Sequence, residues 1–455
     1  RKRSNSLGDP HWEANVSTNN YVSWARELFD SVESQCRYLA GESSTDPGSQ
    51  IGITHDAYLK YLQLHSLEYD DAFQYDAVII DEAQDMTDCQ ASLLWGETMK
   101  NNTRVFLVGD EHQRIYRFRG ATECFETASA SANFSLSGSF RFGNNIGSVA
   151  NAVLKGAGST VTLKGMSLDP GEIIPRNHIE QGVVICRTRN GMCRYLEEHR
   201  PHRWTFVSEH TRLPDTNTVL VPLEKFILGQ SQTFKYKSER FNDWEELQTF
   251  CEEEGDSKML RDMTLVKDYH ERNEGASIKI LFDEIRRTWI QDWREEQKSQ
   301  DVPVLDINQF NGVALVTCHG TKGLEFDNTL IHNDFPFDLL MEKKTGEFLP
   351  SHDFRDMQNL VYVAMTRAKK KLYLSEKASD YVKWVTGGDI DYSMMDERER
   401  SPTDMKLLRT NFEDKWNHFI DVKGDVHNID DVPWPEGPDG NEFALDSSMS
   451  ILEWK

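Results

Sequence analysis

At 455 residues the chain is long enough for two or three domains, and its net charge of −24 excludes a generally basic surface that grips phosphates. Any nucleic-acid path must therefore be a local basic lining. There is no apolar run long enough for a membrane span, and no signal-peptide core in the first thirty residues, which sets the expectation of a soluble, intracellular protein. The seven cysteines are scattered and never spaced C-x-x-C, so they read as reduced, packed thiols rather than a disulfide framework or a zinc site.

Residues 1–70 are mixed and mainly helical. Five short, continuously apolar runs follow along the chain: "AVIID" (77–81), "RVFLVGD" (104–110), "GVVICRT" (182–188), "GVALVTCHG" (312–320) and "KKLYLS" (370–375). Continuous rather than alternating apolarity suits strands of a parallel sheet covered by helices on both faces, so the chain reads as α/β. Between the third and fourth runs, residues 243–289 are rich in helix formers with apolar residues at three- and four-residue steps, which predicts a helical insertion. From Asp391 to Lys455 sixteen acids face seven Lys and Arg, so the end of the chain reads as an acidic tail with little to bury.

Chemistry concentrates where the strands stop. "YDAVIIDEAQDMTD" (75–88) is a buried-strand pattern ending in paired acids. Magnesium prefers oxygen ligands, so Asp81 suits a metal ligand, and Glu82 beside it suits polarisation of an attacking water. The second run leads into "VGDEHQRIYRFRGA" (108–121), where Gln113 is followed by Tyr116, Phe118 and Arg119. An amide that senses a γ-phosphate and aromatics that stack on bases would thereby share one loop. Each feature alone also has a plain structural reading: an acidic turn, core aromatics on a helix, or an arginine in a surface salt bridge.

Taken in order, "DEAQD" (81–85), "VGDEHQRIYRFRGA", "SFRFG" (139–143), "VICRTRN" (184–190), "VTCHGTKGLEFD" (316–327) and "NLVYVAMTRAKK" (359–370) resemble motifs II to VI of the UvrD-like superfamily 1 DNA helicases. "ITHDAYLKYLQLHS" (53–66), "SFRFG" and "LVKDYHERN" (265–273) are most similar to the F-box DNA helicases within that group.

The resemblance implies two RecA-like parallel-sheet domains of the P-loop NTPase type, the first incomplete, with a helical insertion. Residues 1–70 would be a partial 1B/1A helical region, 71–128 the C-terminal part of domain 1A, and 129–190 with 309–380 domain 2A. Residues 191–308 would be a 2B-like insertion and 381–455 the acidic tail. ATP and Mg²⁺ are the implied cofactors. By resemblance, Asp81 is the magnesium ligand, and Glu82, Gln113, Arg141 and Arg367 are catalytic, the arginines reaching the γ-phosphate. Phe140 lies against the adenine, Glu325 binds the ribose beside Gly323, and Tyr116, Phe118, Arg119, His319 and Lys322 contact DNA.

Implied partners are single-stranded and forked DNA, recombinase filaments, and a ubiquitin ligase in a longer form carrying an F-box, with no membrane partner. The implied setting is the nucleus, in recombination and replication-fork repair. One part is missing from the pattern. No G-x-x-x-x-G-K-[ST] phosphate loop occurs in the 455 residues, "GAGST" (156–160) having no lysine to follow it. The expectation is a piece of a longer helicase, inactive as given. The alternative is a helicase-derived scaffold that binds DNA without hydrolysing ATP.

Overall fold

The computed structural model describes residues 18–39, 41, 43–44, 53–65, 75–100, 103–127, 132–208, 211–273, 276–291, 293–294, 306–341, 351–386, 418–420 and 426–428. The chain divides into two compact units, 1–128 and 129–455. Most of the acidic stretch 381–455 and the opening "RKR" lie outside the described residues.

In the first unit, strand β1 (Ala77–Ile80) pairs in parallel with β2 (Arg104–Leu107), connected through the helix Asp88–Lys100. The β-branched and aromatic residues of both runs favour extended backbone, and a parallel pair requires such a crossover. Beneath the strand ends a small core forms from Ala83, Met86 and Cys124, with Ile80, Leu94, Leu107 and Phe125 against it. Among the described residues this sheet has two strands, and Ile79 and Phe106 are 69% and 52% exposed. Two strands cannot cover both faces of each other, so the burial that the apolar pattern calls for is not reached within this set. The helices Thr18–Leu39 and His55–His65 account for the helical character of the early chain.

The second unit begins with a short parallel pair, β3 (Gly138–Ser139) and β4 (Lys164–Gly165), flanking the helix Asn144–Gly156. Its main sheet has six strands, all parallel: β5 (Glu172–Pro175), β6 (Gly182–Cys186), β7 (Trp204–Phe206), β10 (Val313–Thr317), β11 (Phe326–Ile331) and β12 (Ala368–Leu374), in the order β5-β12-β11-β6-β10-β7. A small antiparallel hairpin, β8 (Phe234–Tyr236) with β9 (Glu239–Phe241), lies in the inserted region. Val184, Ile185, Leu315, Leu330, Ile331, Leu372 and Leu374 are completely buried, as central parallel strands require.

All five apolar runs become strands. Three further members of the large sheet carry weaker sequence signals. β5 ends in proline and sits at an edge, where a missing N–H is tolerated. β11 begins "FDN", with polar residues that sequence pattern treats as loop, yet its last residues are buried in the centre of the sheet. The third, β7, falls inside the interval 191–308 assigned to the insertion, and so does all but the first two residues of the helix Arg189–His199, which packs on the sheet.

The inserted helices share one continuous core with the sheet, running from Val184, Val313 and Leu315 through Trp204 and Phe206 to Leu223, Leu247, Val266 and Phe282. Trp204 is the joint. Its indole stacks on Trp289 at 5.5 Å, its Nε1 donates to the Ile285 carbonyl at 2.9 Å, and its backbone N–H donates to the Thr288 carbonyl. Side-chain caps start two of the inserted helices, with Asp243 accepting from Glu246 N and Asp256 from Met259 N.

Candidate nucleotide and DNA site

In the first unit the functional residues hang from the ends of the two parallel strands. Asp81 leaves β1 exposed, and its Oδ1 accepts the Glu82 N–H at 2.8 Å. Glu82 has φ 54° and ψ 37°, the left-handed region, at a cost of about 1–2 kcal/mol for a residue with a Cβ. Such strain survives where surrounding structure over-determines it, often at a functional site. Here Gln84 helps hold it. That side chain is 1% exposed, its Nε2 donates to Glu82 Oε2, and its Oε1 accepts the Asp110 N–H at 3.1 Å.

Asp110, just beyond β2, caps the short turn Glu111–Gln113. One carboxylate oxygen accepts the His112 N–H at 2.9 Å and the other accepts Gln113 Nε2 at 2.9 Å. Gly109 allows the two segments to meet, since a Cβ there would stand 2.0 Å from Gln84 Oε1.

The aromatic loop follows directly. The Tyr116 and Phe118 rings are 6.2 Å apart, and the Arg119 guanidinium carbon lies 5.3 Å from one centroid and 5.6 Å from the other. Phe118 is 70% exposed and Tyr116 half-buried, so one cation organises two aromatic faces of which one is open to solvent. Arg114 beneath them is buried and ion-paired with Glu123 at 2.9 Å, which anchors the loop. The expected positions Asp81, Glu82, Gln113, Tyr116, Phe118 and Arg119 therefore fall within one unit. Gln84, Gly109 and Asp110 went unassigned in the sequence because a buried glutamine and a turn aspartate look like ordinary structure until their partners are known.

In the second unit, Arg141 Nε pairs with Glu325 Oε2 at 3.0 Å and its Nη1 donates to the Thr366 carbonyl at 3.2 Å. "SFRFG", "TKGLEF" and "MTRAKK" thus meet through one guanidinium. Glu325 is also 3.6 Å from Lys369, and Asp327 holds Lys369 at 3.4 Å and Lys370 at 2.7 Å. Burial would raise the Asp327 pKa, but the hydrogen bond and charge of Lys370, with Lys369, hold it below its ordinary value. Phe140 is 66% exposed, as a surface for a planar ligand would be.

Gly323 has φ 77°, which a glycine adopts without strain in the turn that presents Lys322 and Glu325. Lys322 and His319 are half-buried in the segment after β10. Arg367 differs from the other assigned side chains: it is 1% exposed, with its guanidinium donating to the Val363 and Leu324 carbonyls at 3.0 and 3.4 Å. To reach a phosphate it would have to exchange those carbonyls for the ligand.

The donor chemistry at Asp81 and Glu82 fits Mg²⁺, being hard oxygens at the open end of a parallel strand. Among the described residues, Cys186, His332 and Asp334 also bring ligand atoms within 4.8 Å of one another. The hydrogen bonds there argue for a structural cap instead. Asp334 Oδ1 accepts Arg187 N at 2.9 Å and lies 3.1 Å from His332 Nδ1, while Oδ2 accepts Thr188 N at 2.8 Å and Thr188 Oγ1 at 3.0 Å.

Four contacts fill the lone-pair positions of a carboxylate. Burial would raise the Asp334 pKa, yet these hydrogen bonds, that with His332 foremost, keep it below its ordinary value. Burial, with Asp334 alongside, pushes the Cys186 thiol well up, so it stays protonated. The cluster fastens the start of the helix Arg189–His199 to the end of β11.

Comparison with known proteins places these units. Residues 49–130 match the UvrD/REP helicase N-terminal domain, and residues 209–379 match the UvrD-like helicase C-terminal domain. F-box DNA helicase protein 1 of Schizosaccharomyces pombe is 29% identical over 346 residues, 70% of this chain and 36% of the relative. F-box DNA helicase 1 of Gallus gallus is 28% identical over 341 residues, 71% of this chain and 31% of the relative. DNA helicase IV of Escherichia coli is 38% identical over 85 residues, 17% of this chain and 12% of the relative. The chain spans about a third of the length of the two F-box DNA helicases it matches.

Proposed function

The chain belongs to the UvrD-like helicases, and from that premise we propose that it is the DNA-tracking and nucleotide-responsive part of an ATP- and Mg²⁺-dependent helicase that moves 3′ to 5′ on single-stranded DNA. The observation that carries the reading is in the first unit. Glu82, Gln84, Asp110 and Gln113 form one hydrogen-bonded line, and the backbone runs from Gln113 through Arg114 and Ile115 into the Tyr116–Phe118–Arg119 loop, so a change at the phosphates has a short physical route to a base-stacking surface.

Bound Mg²⁺ would neutralise charge on the β- and γ-phosphates. Asp81 would hold it and Glu82 would orient the attacking water, while Gln113 presents an amide to the nucleotide. By the family resemblance Arg141 would carry positive charge to a γ-phosphate and Glu325 would meet the ribose, and either role would require them to give up their ion pair. Arg367 would supply a second positive charge only by exchanging its backbone carbonyl partners for the ligand. Phosphoryl transfer depends chiefly on such positioning and charge neutralisation.

Phe118 and Tyr116 would stack on bases in a sequence-independent way, with Arg119, His319 and Lys322 as the local basic contacts that the −24 net charge makes necessary. We assign the protein to the nucleus and to recombination and fork repair, with recombinase filaments and forked DNA as partners. A ubiquitin-ligase link would belong to a longer F-box form. The F-box DNA helicases among its relatives support DNA as the substrate and the F-box link, by their names alone.

The absence of G-x-x-x-x-G-K-[ST] from the 455 residues favours a second reading, a DNA-binding scaffold without hydrolysis. ATPase measurements separate the two. A motor that includes a phosphate loop should hydrolyse ATP in response to single-stranded DNA and lose that response in Glu82→Gln, whereas the 455-residue chain alone should bind DNA with hydrolysis at background. Glu82-dependent hydrolysis by the chain alone would show that the missing loop is not required.

A further inference from the structure

We propose that Gln84 is a positioning residue, a buried amide relay that transmits the state of the Glu82 carboxylate to the DNA-stacking loop through Asp110 and Gln113. This deepens the reading above and rests on it. None of the roles assigned from sequence includes Gln84, and its place becomes apparent only when β1 and β2 stand side by side.

Directional contacts run unbroken from Glu82 to Gln113, and the backbone of Arg114 and Ile115 carries the line on into the aromatic loop. Gln84 Nε2 donates to Glu82 Oε2, and Gln84 Oε1 accepts the Asp110 N–H at 3.1 Å. Asp110 then accepts Gln113 Nε2 and the His112 N–H, both at 2.9 Å. The Gln113 N–H donates to the Asp110 carbonyl at 2.9 Å, and the Arg119 N–H to the Tyr116 carbonyl at 2.8 Å, so the turn and the aromatic loop are short, hydrogen-bonded segments.

A side-chain amide can donate at one end to a carboxylate and accept at the other from a backbone N–H while remaining neutral. Its polarity is therefore fixed by its neighbours. If Glu82 redirects its oxygens toward a water or a metal, Gln84 loses its acceptor, and an amide 1% exposed has little freedom to find another. Gly109 removes the remaining slack, since its absent Cβ leaves room for Gln84 Oε1 where a methyl would stand 2.0 Å away. Glu82 is itself exposed and held in the left-handed region, so the end of the relay that meets the nucleotide is both accessible and conformationally loaded.

A purely space-filling role and a relay make different predictions for isosteric changes. Gln84→Glu keeps the volume and the acceptor for the Asp110 N–H but sets a carboxylate against Glu82. Glu82→Gln removes the charge from the other end. Combining them restores a donor–acceptor pair with its polarity reversed, since the introduced amide at 82 can donate to the introduced carboxylate at 84, whose second oxygen still accepts from Asp110.

The test is amide hydrogen exchange across residues 108–121 in the full 455-residue chain, for the native protein, both single variants and the swap. Loss of about 1.4 kcal/mol of protection corresponds to tenfold faster exchange. We expect about tenfold acceleration from Asp110 to Arg119 in Gln84→Glu, a smaller acceleration in Glu82→Gln, and return to within about twofold of native in the swap. A swap no better protected than the product of its two single changes would overturn the relay. Should Gln84→Glu fail to fold, Glu82→Gln decides alone, because Glu82 is exposed and an unaltered 108–121 segment would leave nothing transmitted.

Fluorescence anisotropy with labelled oligo(dT), run on the same four proteins, separates the two levels of the proposal. A native chain that does not bind oligo(dT) overturns the functional reading. A native chain that binds, with variant affinities that ignore the exchange pattern, overturns the link from Gln84 to DNA alone.

Discussion

Replacing Tyr116 and Phe118 together by alanine tests the DNA surface most directly, because the structure separates their contribution to folding from their contribution to binding. Phe118 is 70% exposed, so less than a third of its surface is removed from water in the folded chain. Complete burial of a phenylalanine stabilises by roughly 1.5–3 kcal/mol, which leaves about 1 kcal/mol or less to lose at this position.

Tyr116 is half-buried and contributes somewhat more, yet Arg114 and Glu123 still anchor the loop beneath it. Base stacking on an aromatic side chain, by contrast, is worth about 1–3 kcal/mol per base. The double variant should therefore lose about 2–6 kcal/mol of single-strand affinity, at least about thirtyfold, while the chain stays folded. Labelled oligo(dT) titrated at fixed low salt, alongside a thermal melt, supplies both numbers. An affinity within about twofold of native, in a protein whose native form binds, would refute the stacking role and leave the aromatics as loop packing. Arg119→Lys should act more weakly, since a lysine ammonium cannot lie flat against both rings.

Three further changes probe the second unit. Asp334→Ala removes the acceptor from Arg187 N, Thr188 N and Thr188 Oγ1 at once, so at least about 3 kcal/mol of stability should be lost, read as a lower denaturation midpoint in urea. Trp204→Ala should cost about 3–5 kcal/mol, and because Trp204 joins sheet and inserted helices, tyrosine fluorescence and circular dichroism should fall in one transition; separate transitions would divide the insertion from the sheet.

Asp262 has its pKa pushed up to about 6, burial being the main cause. Its folded value lies above the unfolded one, so the folded state binds the proton more tightly and stability falls as pH rises from about 4 to about 6. Asp262→Asn should accordingly stabilise by about 1–3 kcal/mol at neutral pH and have almost no effect near pH 4, measured by urea denaturation across that range.

Apolar pattern alone determined that this chain is α/β with parallel strands, because a run such as "GVVIC" can be buried on both sides only in the interior of such a sheet. It also marked the places where the family resemblance sets candidate site residues, Asp81 and Gln113 beyond the first two apolar runs and Glu325 in the segment after β10. Sequence was weaker where burial comes from neighbours rather than from the segment itself. The polar start of β11 and the brevity of β7 conceal two strands of the large sheet, and the helix-forming interval that follows β7 reads as a separate insertion although Trp204 and Trp289 bind it to the sheet.

Only tertiary structure decided which side chains act on one another. Glu82, Gln84 and Asp110 are separated by as much as 28 positions along the chain, and no local periodicity signals that β1 and β2 lie in parallel register and place the three in a single hydrogen-bonded line. The same holds for Arg141 and Glu325, 184 residues apart, whose ion pair depends on where separate strands and loops end. Strand and helix type follow from short-range sterics and the placement of apolar residues. Partnership between distant polar groups follows from strand register and close packing, which exist only once the chain has folded.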